Sequence, residues 1–416
     1  LVHFSLNTDC QTREDAKQRL FWYTLAMKTS KKIFITGASF AGIKCAWELR
    51  HRLADENKIT IISDKPKTIF RASFPHVIFE DVSVESLTMD LGKNFEGTGI
   101  GFLCDPLVQV DQTNNRIVTE KGEHDYDYLI LATGARHAYE LLPGSKEYAK
   151  SICDPNRIME TKAAVRNFKG GVIYAGVGAG FTPCDGPQFE VIMNLDYRLR
   201  QLGLRDKSKI HYITDKERIL PPAGPKAGKY LGQLLNEHGI IVHLDTYLTR
   251  LDPKTLYFQD GTQKPYDLCI LVLPFRGIEA LADSGLVDER GFIPVSPATM
   301  RAAQSKRFNI YAIGDCVGLF GPKQGHLALM QAQVAAEHIA WRINRKGSVR
   351  AYLPEFKCVM DLGGKEGLYV YSQYMSDGDV VEIQKGREPY ESKLEFERQW
   401  FTNCGDIGEL HHEIMK

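Results

Sequence analysis

The chain carries a strand, a glycine-rich turn, a helix and a second strand near its start. The apolar run KKIFITG (Lys31–Gly37) enters the turn GASFAG, a helical stretch follows, and the strand KITIISD ends at Asp64. Unbroken apolar runs of this length are typical of parallel strands covered on both faces. This order, with an acidic residue at its end, is the fingerprint of a dinucleotide-binding unit. The sequence therefore predicts an α/β fold that opens with a Rossmann-like unit.

The first glycine turn departs from the usual pattern at one position, because Ser39 stands where the middle glycine is expected. Gly37 permits the tight turn, and Gly42 permits close packing of helix on strand. Ser39 is small enough for a pyrophosphate to approach the backbone, where the helix N-terminus favours its negative charge. Asp64 is placed to bond ribose hydroxyls. These four residues are predicted to hold a dinucleotide.

Two later strands end in small residues of the same kind. YDYLILATGA (residues 126–135) ends in Thr133 and Gly134, and NIYAIGDCVG (residues 309–318) contains Gly314 and Asp315. Small residues let a flat cofactor pass close to the backbone, and a carboxylate can accept a bond from a ribityl hydroxyl. The three motifs occur together, in this order, in FAD proteins built from two Rossmann-like domains. FAD is the predicted cofactor.

A second strand–turn–helix unit carries a thiol where a phosphate is expected. GGVIYAGVGAG (residues 170–180) repeats the glycine pattern, and SKIHYITD (residues 208–215) supplies the next strand. The turn continues as FTPCDGP, so Pro183 removes one backbone donor and Pro187 restricts another turn. The sequence predicts a second Rossmann-like domain whose nucleotide cradle is broken at Cys184.

Charge, hydropathy and cysteine spacing exclude several classes of protein. Lys+Arg and Asp+Glu both number 52, which argues against nucleic acid as a partner. No apolar run approaches the roughly 18 residues that span a bilayer, and the first 26 residues lack the order of a signal peptide. We expect the folded chain to begin near Met27, with residues 1–26 unstructured or a translation artefact. The nine cysteines include no zinc-like spacing, so no metal site is predicted.

Taken together, the motifs resemble those of sulfide:quinone oxidoreductases, a family of flavoproteins with two dinucleotide-binding domains. The resemblance runs from about Lys31 to the C-terminus and is carried by FRASFPHV, SICDP, PCDGPQFE, GFIPV, IGD, PKQGHLA and FKCVMD. It implies sulfide and a membrane quinone as partners, and a peripheral, monotopic membrane location. The face of the membrane and a homo-oligomeric state stay open.

The resemblance assigns roles to three cysteines. Cys184 and Cys358 match the pair that forms a redox bridge beside the flavin, with Cys358 nearer the ring. Cys153 matches a third cysteine, which several members link to the flavin by a thioether, so covalent attachment of FAD is one alternative. Hydrosulfide can open such a bridge by thiol–disulfide exchange. We expect the helix that starts after Pro183 to lower the pKa of the Cys184 thiol.

Further site residues follow from the same resemblance. Lys323, with the helix start at Gly325, matches a lysine over the pyrimidine end of the flavin, and Arg71 lies in a cofactor-binding motif. Glu190 matches a proton carrier near the quinone. Phe396, Trp400 and Phe401 lie on an amphipathic C-terminal stretch that is predicted to bind the quinone and dip into the lipid interface. The alternative is that these aromatics pack on the core.

The chain departs from the family where some members carry histidines, since SICDPNRIMETK has none. Asp154, Asp185 and Glu190 are the candidates for moving protons. Three other functions stay open: a type II NADH:quinone oxidoreductase, the flavin subunit of a flavocytochrome c sulfide dehydrogenase, and a non-catalytic flavin-binding protein. A dithiol reductase of the C-x-x-x-x-C type is excluded, because that spacing is absent.

The predicted domain plan has five parts. Residues 1–30 form an extension outside the core, and residues 346–416 form a C-terminal quinone and membrane-interface segment. Between them lie the first part of the FAD domain (31–150), the second Rossmann-like domain (151–295) and the return to the FAD domain (296–345).

Overall fold

A computed structural model describes residues 30–178, 180, 182–373 and 381–408. Within these ranges the core is built on two five-stranded sheets whose strands all run parallel. The first sheet has the spatial order Ile310–Ala312, Tyr128–Leu131, Lys32–Thr36, Lys58–Ser63, Ile100–Cys104. The predicted α/β class and the first Rossmann-like unit are confirmed.

Apolar strands and long helices explain why the first sheet is buried on both faces. Ile33 and Ile35 of the central strand are fully buried. Helix Phe40–Arg52 lies on this sheet and packs against helix Gly325–Asn344. The C-terminal part of the chain therefore closes the same layer that its first strand opens.

The second sheet repeats the arrangement. Its spatial order is Lys150–Ser151, Leu268–Val272, Gly171–Val177, Ser208–Ile213, Ile241–His243. Its helices are Ile158–Asn167, Gly186–Gln201 and Gly224–Glu237. Cys269 is buried in the strand Leu268–Val272, as Cys45 is in helix Phe40–Arg52, so both behave as small core residues.

The C-terminal part of the chain forms a third layer. Strands Phe356–Gly363, Glu366–Ser372 and Val381–Gly386 form an antiparallel sheet, and helix Arg387–Thr402 packs on it. Helix Gly186–Gln201 of the second Rossmann-like unit lies directly against strand Phe356–Gly363. This contact brings the two distant cysteine motifs together.

Shorter elements connect these layers. Two antiparallel pairs join Arg136–His137 with Phe275–Arg276 and Lys67–Ile69 with Thr88–Asp90. One three-stranded antiparallel sheet consists of Leu107–Asp111, Arg116–Thr119 and Glu123–Asp125. A second consists of Leu248–Asp252, Thr255–Phe258 and Gln263–Pro265. Short α-helices are Phe74–Phe79, Leu91–Phe95 and Ser145–Tyr148. Single 3-10 turns are Arg71–Ser73, Glu85–Leu87, Tyr139–Leu141, Arg205–Lys207, Pro221–Ala223, Glu279–Ser284 and Gly314–Cys316.

The predicted N-terminal extension falls, except for Ser30, outside the described residues. Across the ranges that the structure covers, no helix combines the length and the apolar character needed to cross a bilayer.

Candidate functional site

The first glycine turn is shaped by two contacts that no larger side chain allows. Gly37 has a φ of +107°, and a Cβ on it would lie 2.1 Å from the carbonyl oxygen of Ala132. A Cβ on Gly42 would lie 1.9 Å from the carbonyl oxygen of Gly37. Ser39 directly precedes helix Phe40–Arg52. The turn therefore offers bare backbone at a helix N-terminus, which fits a pyrophosphate.

The neighbouring strand ends leave polar groups for a ligand. Oγ1 of Thr133 is buried and has no hydrogen-bond partner among the described residues, and Gly134 has a φ of +70°. A Cβ on Gly314 would lie 3.1 Å from Cβ of Ala41, so helix and strand approach closely there. Asp64 is exposed directly after the strand Lys58–Ser63. These features fit FAD as the group that satisfies the orphaned hydroxyl.

Asp315, Lys323 and Arg71, which were predicted to bind the cofactor, lie close enough to one another to interact. Burial raises the pKa of the Asp315 carboxyl above its ordinary value, while Lys323 and Arg71 pull it down. Burial lowers the pKa of Lys323, and Asp315 opposes this shift. The ammonium of Lys323 lies 4.9 Å from the centre of the Phe292 ring. Two positive charges near one carboxylate create a site that favours an anion.

A cleft opens beside these charges. It is narrow and is lined by residues that include Asp315, Lys323, Gln324 and Leu327. The backbone N–H of Lys323 donates to the carbonyl of Pro183 at 2.5 Å. The predicted flavin lysine is thus tied to the loop that carries Cys184, just before the helix that begins at Gly325.

Cys184 and Cys358 meet at Gly186. A Cβ on Gly186 would lie 2.8 Å from Sγ of Cys358 and 3.6 Å from Sγ of Cys184. The backbone N–H of Gly186 lies 3.4 Å from Sγ of Cys184, and Nε2 of Gln324 lies 3.6 Å from the same sulfur. Both side chains are thiols in this structure. Only a residue without a side chain at position 186 leaves room for the two sulfurs to face each other.

Burial dominates the acidity of these thiols. It raises the pKa of Cys184 to about 12, although the N–H of Gly186 opposes the shift. It raises the pKa of Cys358 well above the ordinary value, and Cys184 and Glu190 add to the shift. The N–H of Gly186 at the helix start acts in the predicted direction, but the expectation of a lowered pKa for the Cys184 thiol is wrong, because one N–H contact is weaker than the loss of water.

Cys153 lies near the pair, in the company of a histidine from another segment. Burial raises its pKa to about 12, and its causes include the neighbouring Cys184, Arg71 and Asp315. His137 is hydrogen-bonded to the backbone of Cys153, and burial lowers the pKa of its imidazole. Its Nδ1 is buried without a partner among the described residues. The histidine missing from the sequence after Cys153 thus has a spatial substitute.

Asp185 is a buried carboxyl next to the first thiol. Only 5% of it is exposed, and its Oδ2 has no hydrogen-bond partner within the described ranges. Burial raises its pKa to about 6, with Lys216 opposing. The hydroxyl of Tyr212 is likewise buried without a partner there, close enough to interact electrostatically with Asp185 and Cys184.

Asp154, by contrast, is hydrogen-bonded. Its carboxylate accepts from the Tyr139 hydroxyl at 2.6 Å, and the pKa of the Asp154 carboxyl is lowered.

Glu190 forms a buried ion pair near the thiol of Cys358. Its carboxylate contacts the ammonium of Lys393, and its Oε1 accepts from the backbone N–H of Asp361 at 2.9 Å. Burial raises the pKa of Glu190, and Lys393 opposes this. The charge of Glu190 acts on Cys358. The predicted proton carrier is therefore beside the thiol that is predicted to be nearest the flavin.

The three C-terminal aromatics pack on the protein core. Trp400 is 2% exposed, and its ring centre lies 4.8 Å from that of Phe40. Phe396 and Phe401 lie 5.6 Å and 5.9 Å from the ring of Phe70. The prediction that Trp400 dips into lipid is wrong, because its indole is enclosed by aromatic neighbours. Contact of these residues with a quinone stays a prediction.

The second glycine turn binds a side chain of its own chain. The backbone N–H of Gly180 donates to Oδ2 of Asp215 at 3.2 Å, and Oδ1 of Asp215 pairs with the ammonium of Lys216 at 3.0 Å. Asp215 is the acidic residue after the second strand of this unit, the position that bonds a ribose in dinucleotide sites. Here it is turned onto the glycine turn instead.

Sequence patterns do not single out Gly186, His137 or Lys393. Only the Gly-Pro step after the cysteine marks Gly186 as unusual. His137 and Lys393 lie outside the motifs that carry the resemblance, and no local spacing links them to the site. Gln324 lies within the motif PKQGHLA, but no role was predicted for it.

The chain is similar in sequence to known oxidoreductases. A family model described as pyridine nucleotide-disulphide oxidoreductase matches residues 31–338. The chain is 24% identical over 411 residues to a sulfide-quinone reductase of Aquifex aeolicus (strain VF5), covering 92% of this chain and 94% of that protein. It is 23% identical over 386 residues to a type II NADH:quinone oxidoreductase of Staphylococcus epidermidis (strain ATCC 12228 / FDA PCI 1200), covering 85% and 93%.

A solved structure shows the same fold. The X-ray structure of the sulfide:quinone oxidoreductase from Aquifex aeolicus superposes with a TM-score of 0.85, at 21% identity, and covers 93% of this chain and 95% of that one. At this identity the superposition shows the fold alone.

Proposed function

Since this chain belongs to the pyridine nucleotide-disulphide oxidoreductase family, we propose that it oxidises sulfide and reduces a membrane quinone. FAD is its cofactor, and the two-domain flavoprotein fold provides the place for it. Gly37, Ser39 and Gly42 would hold its pyrophosphate, and Thr133 and Asp315 would bond its polar groups. The observation that carries the proposal is the meeting of the sulfur atoms of Cys184 and Cys358 beside that place.

In the proposed reaction, hydrosulfide attacks a bridge between Cys184 and Cys358. One sulfur–sulfur bond forms between hydrosulfide and Cys184, the bridge breaks, and the sulfur of Cys358 takes up the proton that hydrosulfide carried and ends as a neutral thiol. When bound, FAD supplies the two-electron acceptor between thiol and quinone. The overall balance is HS⁻ + H⁺ + quinone → S⁰ + quinol, with the sulfur leaving as elemental sulfur or as part of a polysulfide.

Burial of the thiols favours this direction of attack. Since both reduced thiols have raised pKa values, they are neutral near pH 7 and are poor nucleophiles. Hydrosulfide is then the reacting anion. The positive charges of Lys323 and Arg71 attract such an anion and would stabilise added negative charge on the cofactor.

The second glycine turn argues against NADH as the electron donor. Asp215 occupies the N–H of Gly180, and Pro183 lacks an N–H of its own. A dinucleotide at this turn would have to displace the Asp215 contact. This observation favours sulfide over the type II NADH:quinone oxidoreductase reading, which needs a working second cradle.

Cys153 supports a covalent link to FAD as a second feature of the proposal. It is enclosed near Cys184, Arg71 and Asp315, which are the residues assigned to the flavin environment. Acid precipitation of the purified protein tests this point. Flavin that stays with the pellet supports the link, and complete release of flavin argues against it.

Peripheral membrane contact is proposed at the rim of the cleft. Phe320 is 92% exposed and Leu353 is 74% exposed. Phe320, Pro322 and Leu327 line the cleft next to Lys323. Exposed apolar side chains around a cleft that leads to the cofactor place suit the entry of an apolar quinone from a lipid surface.

Anaerobic titration of the flavin absorbance tests the function. Sulfide should bleach the oxidised flavin, and a soluble quinone should restore the absorbance. NADH serves as the competing donor in a parallel titration. Bleaching by NADH with no response to sulfide would overturn the proposal in favour of the NADH-dependent alternative.

A further inference from the structure

A row of buried polar side chains leads from the thiols to the protein surface. Glu190, Lys393, Asp361 and His76 are between 1% and 6% exposed, and Glu80 at the end of the row is exposed. Three separate layers contribute to it. Glu190 comes from the helix after Cys184, Asp361 from the strand of Cys358, and His76 from the short helix Phe74–Phe79.

The inner end of the row lies beside the redox site. The ammonium of Lys393 pairs with Glu190, and both charges act on the thiol of Cys358. Lys393 also lies close enough to Asp361 to help lower the pKa of that carboxyl. Since Lys393 and Phe396 are one turn apart on helix Arg387–Thr402, the pair is also close to the predicted quinone-binding aromatics.

The outer end of the row is joined by a histidine. Nε2 of His76 lies 3.4 Å from Oδ2 of Asp361. Ligand atoms of His76, Asp361 and Glu80 all lie within 4.8 Å of one another. Tyr390 of the C-terminal helix faces this group, with its ring centre 6.1 Å from that of His76 and its hydroxyl bonded to Glu80. The imidazole thus lies within reach of a buried carboxylate and an exposed one, and its Nε2 makes no hydrogen bond to another described residue.

Quinone reduction needs such a connection. A quinone that becomes quinol takes up two electrons and two protons. A hydride equivalent delivers both electrons and one proton, so the second proton has to come from water. Glu190 and Lys393 are only 5% and 6% exposed, and imidazole is the side chain best suited to pass a proton near pH 7.

We propose that His76 and Asp361 carry protons from Glu80 at the surface to the buried Lys393–Glu190 pair. This rests on the quinone half of the proposed function and not on the choice of electron donor. One proton enters at Glu80 as one leaves the inner pair, and no electron moves along the row. The Asp361 carboxylate stabilises the imidazolium of His76 and orients its ring, as charge partners of relay histidines do.

Burial and charge fit transfer in this direction. Asp361 has a lowered pKa, because the nearby His76 and the bond from Gly363 outweigh its burial, so it is a carboxylate that draws a proton onto His76. Glu190 has a raised pKa, so it can accept and hold a proton inside. A purely structural network that fastens the C-terminal helix needs neither an exposed carboxylate at one end nor an imidazole in the middle.

The test separates the two half-reactions in a stopped-flow instrument. With His76→Gln and His76→Ala, we expect reoxidation of the reduced flavin by quinone to slow about 100-fold, the low end for a lost proton-transfer group. Reduction of the flavin by the electron donor should be unchanged. Free imidazole, added as an external proton carrier, should restore quinone reduction in His76→Ala.

The control is His51→Ala. Nε2 of His51 lies 2.8 Å from Oδ2 of Asp406 at the protein surface. The substitution therefore removes a similar histidine–carboxylate contact away from the thiols. Normal quinone reduction in both His76 variants would overturn the relay. Equal slowing of both half-reactions without rescue by imidazole would also overturn it, because that is the signature of a structural role.

A measurement on the resting protein gives an independent readout. In ¹⁵N-histidine NMR spectra at one fixed pH, Glu80→Gln should shift the ring-nitrogen signals of His76, because it removes a negative charge beside the imidazole. Unchanged signals would overturn the link to Glu80. A stoichiometric divalent cation found by metal analysis at His76, Glu80 and Asp361 would do the same, since it would block the row.

The relay and the sulfide proposal can fail separately. If sulfide does not reduce the flavin, NADH is used as the donor and the same comparison of quinone half-reactions is made. Loss of sulfide activity alone therefore leaves the relay test intact.

Discussion

The sulfur atoms of Cys184 and Cys358 both lie against Gly186, 3.6 Å and 2.8 Å from the place of a Cβ there, although one cysteine precedes a helix of the second Rossmann-like unit and the other lies in the C-terminal sheet. The packing of helix Gly186–Gln201 on strand Phe356–Gly363 holds them there. Because two separate layers supply the thiols, the bridge also joins these layers covalently when it forms.

Replacement of either bridge cysteine should abolish sulfide-driven reduction of the flavin. In Cys184→Ser and Cys358→Ser, we expect rates at background, because no exchangeable sulfur–sulfur bond can form. FAD should stay bound, since neither side chain belongs to the glycine turn at Gly37. Anaerobic stopped-flow absorbance measures both quantities. Cys104→Ser is the matched control, and near-normal turnover in both variants would refute the bridge.

A methyl group at position 186 should disturb the same bridge without removing a thiol. In Gly186→Ala the new Cβ would fall 2.8 Å from Sγ of Cys358, so that sulfur has to move. A shift near 1 Å in a reacting group lowers rates by up to about 100-fold. We expect a loss of about tenfold or more in flavin reduction by sulfide.

Gly232→Ala is the control for this substitution. Gly232 is also helical, and a Cβ there would lie 3.8 Å from Ile219, an ordinary contact. This variant should keep full activity. Equal activity of Gly186→Ala and the wild type would show that the sulfurs have more room than the structure gives them.

Asp185 should make the protein less stable as the pH rises from about 4 to 6. Its pKa is about 6 in the folded protein against 3.8 as the ordinary value, so the folded state binds more protons in this window. Because the unfolded state binds fewer protons than the folded state in this window, the free energy of unfolding falls as the pH rises, by up to about 3 kcal/mol. Urea unfolding of Asp185→Asn at pH 4 and pH 7 should show this dependence removed. The exposed Asp283→Asn should keep it.

His137 should take part in proton transfer near Cys153. Burial lowers the pKa of its imidazole, so it can accept the proton of neutral H₂S, the form of dissolved sulfide that outweighs hydrosulfide below pH 7. His137→Gln is expected to slow flavin reduction by sulfide at pH 6 by up to about tenfold, less than a full loss of a general base, because the remaining hydrosulfide still reacts. The loss should shrink at pH 9, where hydrosulfide needs no base. An equal loss at both pH values would contradict this role.

Phe320 and Leu353 should contribute to membrane binding. Charged replacements, Phe320→Asp with Leu353→Asp, remove exposed apolar area and add negative charge at the rim of the cleft. Flotation with liposomes should show at least about a tenfold weaker association, on the scale of 1.4 kcal/mol per tenfold change. Leu202→Asp, at an exposed leucine after helix Gly186–Gln201, is the control. Unchanged flotation of the double variant would exclude this rim as the contact.

The glycine turns and apolar strands could be predicted from sequence because their signals are local. Gly37, Gly42 and the strand Lys32–Thr36 follow from backbone sterics and burial within one βαβ unit. The meeting of Cys184 and Cys358 comes from packing between layers, so only resemblance suggested it. The pKa of Cys184 was misjudged for the same reason, since its burial depends on residues from other layers. Trp400 has an amphipathic surrounding sequence, but Phe40 and Phe70 cover it.

Asp215 acts as an internal competitor at the second glycine turn. It is tethered to the strand that ends beside Gly180, so its local concentration at that N–H exceeds the mM range of a flexible linker. A free pyridine nucleotide at cellular levels would have to win against this resident carboxylate. Weakening the contact between Asp215 and Gly180 would then let the protein accept electrons from a pyridine nucleotide as well as from sulfide. Asp215 is therefore the position at which an enzyme engineer would start.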